Sequence, residues 1–319
     1  MIEVQGVTKR YGDTVAVNGL TFDVRPGNVT GFLGLNGSGK STTMRLIMGL
    51  DYPDSGSIRI DGRRFRDLPR PLNKVGALLE ARAIHPGRSA SNHLLALAAA
   101  NGIKRSRVEE VLQLVGLEKV ARKRAGKFSL GMGQRLGIAA ALLGDPEVLL
   151  FDEPINGLDP EGILWVRNLL HHLAGEGRTI FVSSHLMSEM ALTADHVIVI
   201  GKGRMIANSS MADFLARNRR QAVRVRTPEP ARLRQAIDEM GATVRVGHDG
   251  VLSVEGMTVE AVGDLAFSIG VPLHELSSSG ASLEETFMDL TRGSLEYTDG
   301  SDLGSDGSRN DVLDDVVSS

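Results

Sequence analysis

A chain of 319 residues, 42% of them hydrophobic and none cysteine, can bury one large or two smaller cores but can form neither a disulfide framework nor a thiolate metal site. Its formal charge of −3 is uneven: residues 294–319 hold seven acids, Glu296 and six Asp, against Arg309 alone, leaving about +3 elsewhere, too mild a balance to expect a nucleic-acid partner. Apolar stretches such as 94–100 and 197–200 fall far short of the roughly 20 residues that span a bilayer, and no basic-then-apolar leader precedes Ile2-Glu3-Val4, so no membrane crossing or secretory segment is expected.

In chain order, residues 1 to about 30 read as short antiparallel strands broken by the turns Tyr11-Gly12-Asp13 and Arg25-Pro26-Gly27. Gly31-Phe32-Leu33 then reads as strand and 43–50 as helix, and between them stands Gly34-Leu35-Asn36-Gly37-Ser38-Gly39-Lys40-Ser41-Thr42. Two glycines with four residues between them, followed by Lys and a hydroxyl residue, form the phosphate-binding loop pattern. Glycines let several backbone N–H groups point inward together, and the following helix adds its positive end. Lys40 is then placed to reach the β- and γ-phosphates, with the Ser41 hydroxyl on Mg²⁺. A nucleoside triphosphate is the expected ligand.

The helix ends near Gly49, and 56–62 reads as strand and turn. Residues 75–126 turn Ala- and Leu-rich, which predicts a helical insertion with helices over 92–100, capped by Ser89 or Ser91, and 108–115. Lys104-Arg105-Ser106-Arg107 and Arg122-Lys123-Arg124 read as solvated helix ends. Beyond Gly126, helix 134–143, strand 148–151, helix 162–173 and strands 179–182 and 197–200 alternate as in a parallel sheet covered on both faces. Residues 222–276 repeat strand and helix on a smaller scale, with strands near 223–225 and 244–246 and helices near 231–240 and 259–269. From 294 the chain is Gly-, Ser- and Asp-rich, and a disordered acidic tail is expected.

A phosphate loop needs a carboxylate at the end of a neighbouring strand, and Val148-Leu149-Leu150-Phe151-Asp152 supplies one. Asp152 is the expected Mg²⁺-side residue. Glu153 follows it, and successive side chains of an extended segment face opposite ways, so Glu153 is the expected general base.

With these motifs the chain resembles the nucleotide-binding subunit of an ATP-binding cassette (ABC) transporter over residues 1 to about 215, most of all the drug and antibiotic efflux branch. Phe128-Ser129-Leu130-Gly131-Met132-Gly133-Gln134-Arg135 stands at the family's signature, with Ser129 and Gly131 matching its serine and second glycine and Leu130 and Met132 replacing its first glycine and glutamine. Asn156-Gly157-Leu158-Asp159 resembles the D-loop, His185 the switch histidine on the γ-phosphate, and Tyr11 the aromatic that stacks on adenine. Glu80 stands where the family usually has the glutamine of its Q-loop, and Ser282-Leu283-Glu284-Glu285-Thr286-Phe287 resembles the C-terminal region of such subunits. Other histidines, including His171-His172, show no metal spacing and are read as surface residues.

The resemblance implies an α/β fold: a P-loop cassette with a mostly parallel core sheet, an N-terminal antiparallel β subdomain and a helical insertion over about 76–130. The cassette would fill 1–215, a small α+β domain 216–293 and the acidic tail 294–319. It further implies ATP and Mg²⁺ as ligands, and a head-to-tail homodimer or a pair with a second ATPase subunit, in which each signature closes on the other chain's nucleotide. A separate membrane permease would hold the protein peripherally at the cytoplasmic face of the cell membrane, and the pair would drive export of drugs, antibiotics or other amphiphiles. A nucleotide-gated regulatory or binding module without transport is the alternative. One cassette, no long coiled-coil insertion and no basic patch weigh against it, and the Ser129, Asp159 and His185 pattern weighs against a P-loop kinase or GTPase.

Overall fold

The computed structural model describes residues 1–80, 84–218, 221–247, 250–280 and 287. β1 (Ile2–Tyr11) and β2 (Thr14–Val24) pair antiparallel through Gly12-Asp13, with Tyr11 opposite Thr14 and Gly12 at φ +57, a left-handed turn residue of the kind two-residue hairpins use. β3 (Val29–Leu33) leaves this pair, buried at every position. In α1 (Lys40–Ile47) Lys40, Thr43, Met44, Leu46 and Ile47 are buried, a single helical stripe, and Gly49 at φ +62 stops it. β4 (Ser55–Ile60) returns to β1, giving a first sheet ordered β2-β1-β4.

The short α2 (Pro71–Lys74) leads into β5 (Val75–Leu78), and the helices α3 (Ala90–Ala100), α4 (Arg105–Leu114) and α5 (Leu130–Leu142) follow. Then come β6 (Val148–Asp152), α6 (Pro160–Gly175), β7 (Thr179–Ser184), α7 (Met187–Ala191), β8 (His196–Gly201), β9 (Arg204–Ser210) and α8 (Met211–Asn218). The second sheet runs β5-β6-β7-β3-β8-β9, parallel throughout except for β9, which is antiparallel to β8.

One face of this sheet packs on the first sheet through a cluster that includes Phe22, Phe32 and Phe181. Their ring centroids lie 5.7 Å (Phe22 to Phe32), 5.7 Å (Phe22 to Phe181) and 5.0 Å (Phe32 to Phe181) apart, all tilted, the offset geometry that aromatic quadrupoles favour. On the other face, a larger cluster gathers Leu94, Val111, Leu136, Phe151 and Val182.

Several expectations need correction. Residues 75–78 do not open the helical insertion; they form β5, because Val75 to Leu78 pair in register with Val148 to Phe151. The helix expected from 134 begins at Leu130, since the Ser129 hydroxyl accepts the Met132 N–H at 3.3 Å. Ser89, not Ser91, caps α3. Arg107 is not a solvated end: its guanidinium reaches Leu142 O at 3.1 Å and Asp145 at 3.2 Å, tying α4 to the end of α5. His93 is not a surface residue but 9% exposed, and burial, then Arg88, holds its pKa below the ordinary histidine value.

The third sheet is built by β10 (Gln221–Arg226), α9 (Pro230–Glu239), β11 (Thr243–Val246), β12 (Leu252–Glu255), α10 (Val259–Ser268) and β13 (Glu275–Gly280). Its order is β11-β12-β10-β13, antiparallel at each pairing. Val223, Val225, Leu233, Ile237, Leu252, Val254 and Val262 form a cluster separate from the other two. The expected tail 294–319, and all of 282–287 except Phe287, lie outside the described residues. Phe287 is 2% exposed and belongs to the same cluster as Met211 and Phe214.

Phe181→Ala should destabilise the protein by about 3–5 kcal/mol, the usual cost of emptying a buried aromatic site. Denaturant unfolding followed by circular dichroism measures this, and a loss below about 1 kcal/mol would show that the aromatic triad does not join the two sheets.

Candidate active site

Parallel register sets the site before any side chain is considered. β7 pairs Ser184 with Leu33 of β3 and Ser183 with Asp152 of β6. The segments that follow these strands, the loop 34–39, Glu153 and His185, therefore emerge at one edge. The carboxyl ends of parallel strands are where such sheets hold ligands.

The loop is shaped by close approach. A Cβ on Gly34 would lie 2.2 Å from Ser38 Oγ and 2.8 Å from Ile200 O, so no side chain fits there. Gly39, at φ +105, is the N-cap of α1, and its Cβ would lie 2.5 Å from Ala16 O. Lys40 follows as the first residue of α1 and is only 6% exposed. Its Nζ donates to Gly34 O at 2.5 Å and to Leu35 O at 3.3 Å, and stands 3.8 Å from Glu153 Oε1. Burial pulls its pKa below the ordinary lysine value, and the Glu153 and Asp152 carboxylates oppose that pull. A cation here, beside a helix N-terminus, makes an anion site.

Across the cleft, Glu153 sits at φ +50, a left-handed conformation that costs a non-glycine residue about 1–3 kcal/mol and persists only where neighbours enforce it. Its N–H donates to Ser183 Oγ at 3.0 Å, and Gln134 Nε2 reaches its carbonyl at 3.4 Å. Its Oε2 lies 2.9 Å from His185 Nδ1. Ser183 Oγ in turn donates to Asp152 Oδ1.

The cleft encloses about 490 Å³ and is lined by Leu35, Asn36, Gly37, Gly39, Lys40, Ser41, Thr42, Glu80, Asp152 and Glu153 from among the expected residues. Gly34 and Ser38 shape the loop from behind, and the buried Ser38 Oγ has no hydrogen-bond partner. Tyr11 does not line the cleft. It is 47% exposed, its hydroxyl donates to Asp51 at 2.7 Å, and burial, then the Asp51 contact, raises its pKa. Ser129 and Asp159 act locally as helix caps, Asp159 accepting the Gly162 N–H at 2.9 Å. Neither they nor Gly131 line the cleft, whereas Leu130 and Gln134 of the signature stretch and Asn156 of the D-loop stretch do, as do Ala16 and Leu79, which the sequence does not single out. Ser183 was also missed, although a hydroxyl pair ending the buried run Thr179-Ile180-Phe181-Val182 was a signal that could have found it.

The ABC transporter family matches residues 17–156, and a domain family of unknown function matches residues 221–284. The bacitracin transport ATP-binding protein BcrA of Bacillus licheniformis is 44% identical over 223 residues, which is 69% of this chain and 73% of that protein. This chain belongs to the ATP-binding proteins of ABC transporters. The Nod factor export ATP-binding protein I of Burkholderia orbicola (strain AU 1054) is 32% identical over 302 residues, covering 91% of this chain and 96% of that one. A dimeric ATP-binding cassette solved in a post-hydrolysis state with ADP and Pi superposes with a TM-score of 0.60 at 26% identity, over 66% of this chain and 99% of its own. As an ABC ATPase the chain binds and hydrolyses ATP and is the kind of subunit that works with membrane permease components. Among the described residues, no helix is long and apolar enough to cross a membrane.

Gly39→Ala should abolish ATP binding by this ABC ATPase, because a methyl group must clash with Ala16 O and the residue must keep φ +105. Calorimetric titration with ATP checks it, and unchanged affinity would mean that the loop can relax without losing its shape.

Proposed function

We propose that this ABC ATPase powers export of drugs, antibiotics or other amphiphiles through a separate membrane permease, held by it at the cytoplasmic face of the membrane. The observation that carries the catalytic part is the convergence of Lys40, Glu153 and His185 at one edge of the sheet, within 3.8 Å and 2.9 Å of each other through Glu153. The export part is supported by the similarity to proteins named for bacitracin transport and Nod factor export.

In this reading the N–H groups of residues 35–42 other than Ser38, whose N–H donates to Leu35 O at 3.1 Å, and the Lys40 ammonium hold the phosphates. Mg²⁺ fits the donors present: the exposed Ser41 hydroxyl and the Asp152 carboxylate are hard oxygen ligands on the same cleft. No group of three or more His, Cys, Asp or Glu among the described residues could hold a metal by itself. When bound, the ion would neutralise charge that develops on the phosphates. Glu153 orients and deprotonates the attacking water as general base, and His185, paired with it, holds the γ-phosphate. Tyr11 stacks on adenine after turning from Asp51.

Ser129 and Gly131 act on the nucleotide of a second copy, or of a second ATPase subunit, and Asp159 lies across that seam. Ser129 opens α5, so it presents a helix N-terminus that a γ-phosphate held elsewhere can use. Glu80 adds a carboxylate to the cleft where an amide would donate hydrogen bonds, and it tunes coupling to the permease. We also infer the division into a cassette over 1–215 and an accessory domain over 216–293, which the separate third cluster and the separate family match support.

Glu153→Gln should lower phosphate release by about 10²- to 10⁴-fold, the range for loss of a general base, with ATP affinity kept within about threefold. A variant that hydrolyses like the wild type would remove Glu153 from that role.

A further inference from the structure

We infer that Ser183 is the positioning residue for this reaction: one buried hydroxyl that fixes the Asp152 carboxylate and the Glu153 backbone together. The inference rests on the metal-side and general-base roles proposed for those two residues.

Ser183 is fully buried on β7, directly opposite Asp152 in the parallel register. Its Oγ donates to Asp152 Oδ1 and accepts the Glu153 N–H at 3.0 Å. A hydroxyl has one proton to give, and here the carboxylate takes it. Asp152 therefore has one oxygen engaged by Ser183 and its other oxygen free of that bond, on the cleft that Ser41 also lines.

The second bond acts on the next residue. Glu153 leaves the extended path of β6 at φ +50, and its N–H is held by Ser183. That turn is what points its side chain at both His185 Nδ1, 2.9 Å away, and Lys40 Nζ, 3.8 Å away. If the residue relaxed to the extended conformation its neighbours in the strand adopt, the carboxylate would swing off both. A serine within a buried run is costly unless both its hydrogen-bonding capacities are met, and here they are met by the two acids the reaction needs.

A merely structural serine and a positioning serine predict different results. Full-length wild type, Ser183→Ala and Ser183→Thr are titrated calorimetrically with ADP, in EDTA and in Mn²⁺, and their steady-state ATPase constants are measured. Ser183→Ala should keep metal-free ADP affinity within about threefold, lose about 10-fold or more of the Mn²⁺-dependent gain, and drop kcat by about 10²-fold with KM unchanged. Ser183→Thr, which keeps the hydroxyl, should recover most of both. The inference is overturned if the alanine variant keeps the Mn²⁺ gain and kcat, or if metal-free ADP binding is lost and threonine is no better than alanine, which marks a scaffold residue. Asp152→Asn and Glu153→Gln run alongside: if these hydrolyse like wild type the roles themselves fail, whereas if they fail to hydrolyse and Ser183→Ala does not, only the role of Ser183 is lost.

Discussion

Lys40 carries its charge where water barely reaches, and much of the molecule is arranged around that fact. An isolated ammonium in a medium of low dielectric is so costly that it normally loses its proton or finds partners. Here the partners are the carbonyls of Gly34 and Leu35 and the Glu153 carboxylate. Each comes from a different constraint. The carbonyls are turned inward by a loop in which Gly34 and Gly39 admit no side chain, and the carboxylate is delivered by a strand that reaches the cleft only because β7 lies between β3 and β6. The charge is thereby held in place yet faces an open cleft, where an incoming polyphosphate meets it together with a helix N-terminus.

The scaffold under this arrangement is held by contacts that can be named. Phe22, Phe32 and Phe181 join the two sheets on one face, and the strand carrying Phe181 ends in Ser183 and Ser184. Packing on β7 is therefore continuous with the hydrogen bonds that hold Asp152 and Glu153. The helix caps repeat one economy: Ser129 and Asp159 each satisfy an N–H of their own helix, so that α5 and α6 begin at defined points. A residue that only capped a helix would serve this chain alone; in the proposed dimer the α5 start faces a second nucleotide and Asp159 lies across the seam.

Much of this was legible in the sequence because it is local. The phosphate loop is contiguous, and Asp152 and Glu153 follow one apolar strand. What was missed depends on pairing. Val75 to Leu78 merge by composition into the Ala- and Leu-rich stretch after them, and a buried run of four cannot be told from helix by periodicity; only pairing with β6 makes it a strand. β9 is a half-exposed edge strand with weak alternation, and the turn residue Lys202 at φ +46 beside Gly203 at φ +72 was its clearest mark. Arg107 and His93 look like surface residues until α4 and α3 are packed. Ser183 matters through its register with Asp152, and the contributions of Ala16 and Gln134 to the cleft come from elements distant in sequence.

In the proposed dimer one copy holds an incomplete catalytic site, with Ser129, Gly131 and Asp159, which do not line its own cleft, turned to a neighbour. Light scattering coupled to size exclusion tests it most directly, on the Glu153→Gln protein with and without ATP and Mg²⁺. A shift from the mass of one chain to that of two when ATP and Mg²⁺ are present is the predicted result. A protein that binds ATP and keeps the mass of one chain across the accessible concentration range would contradict the shared site.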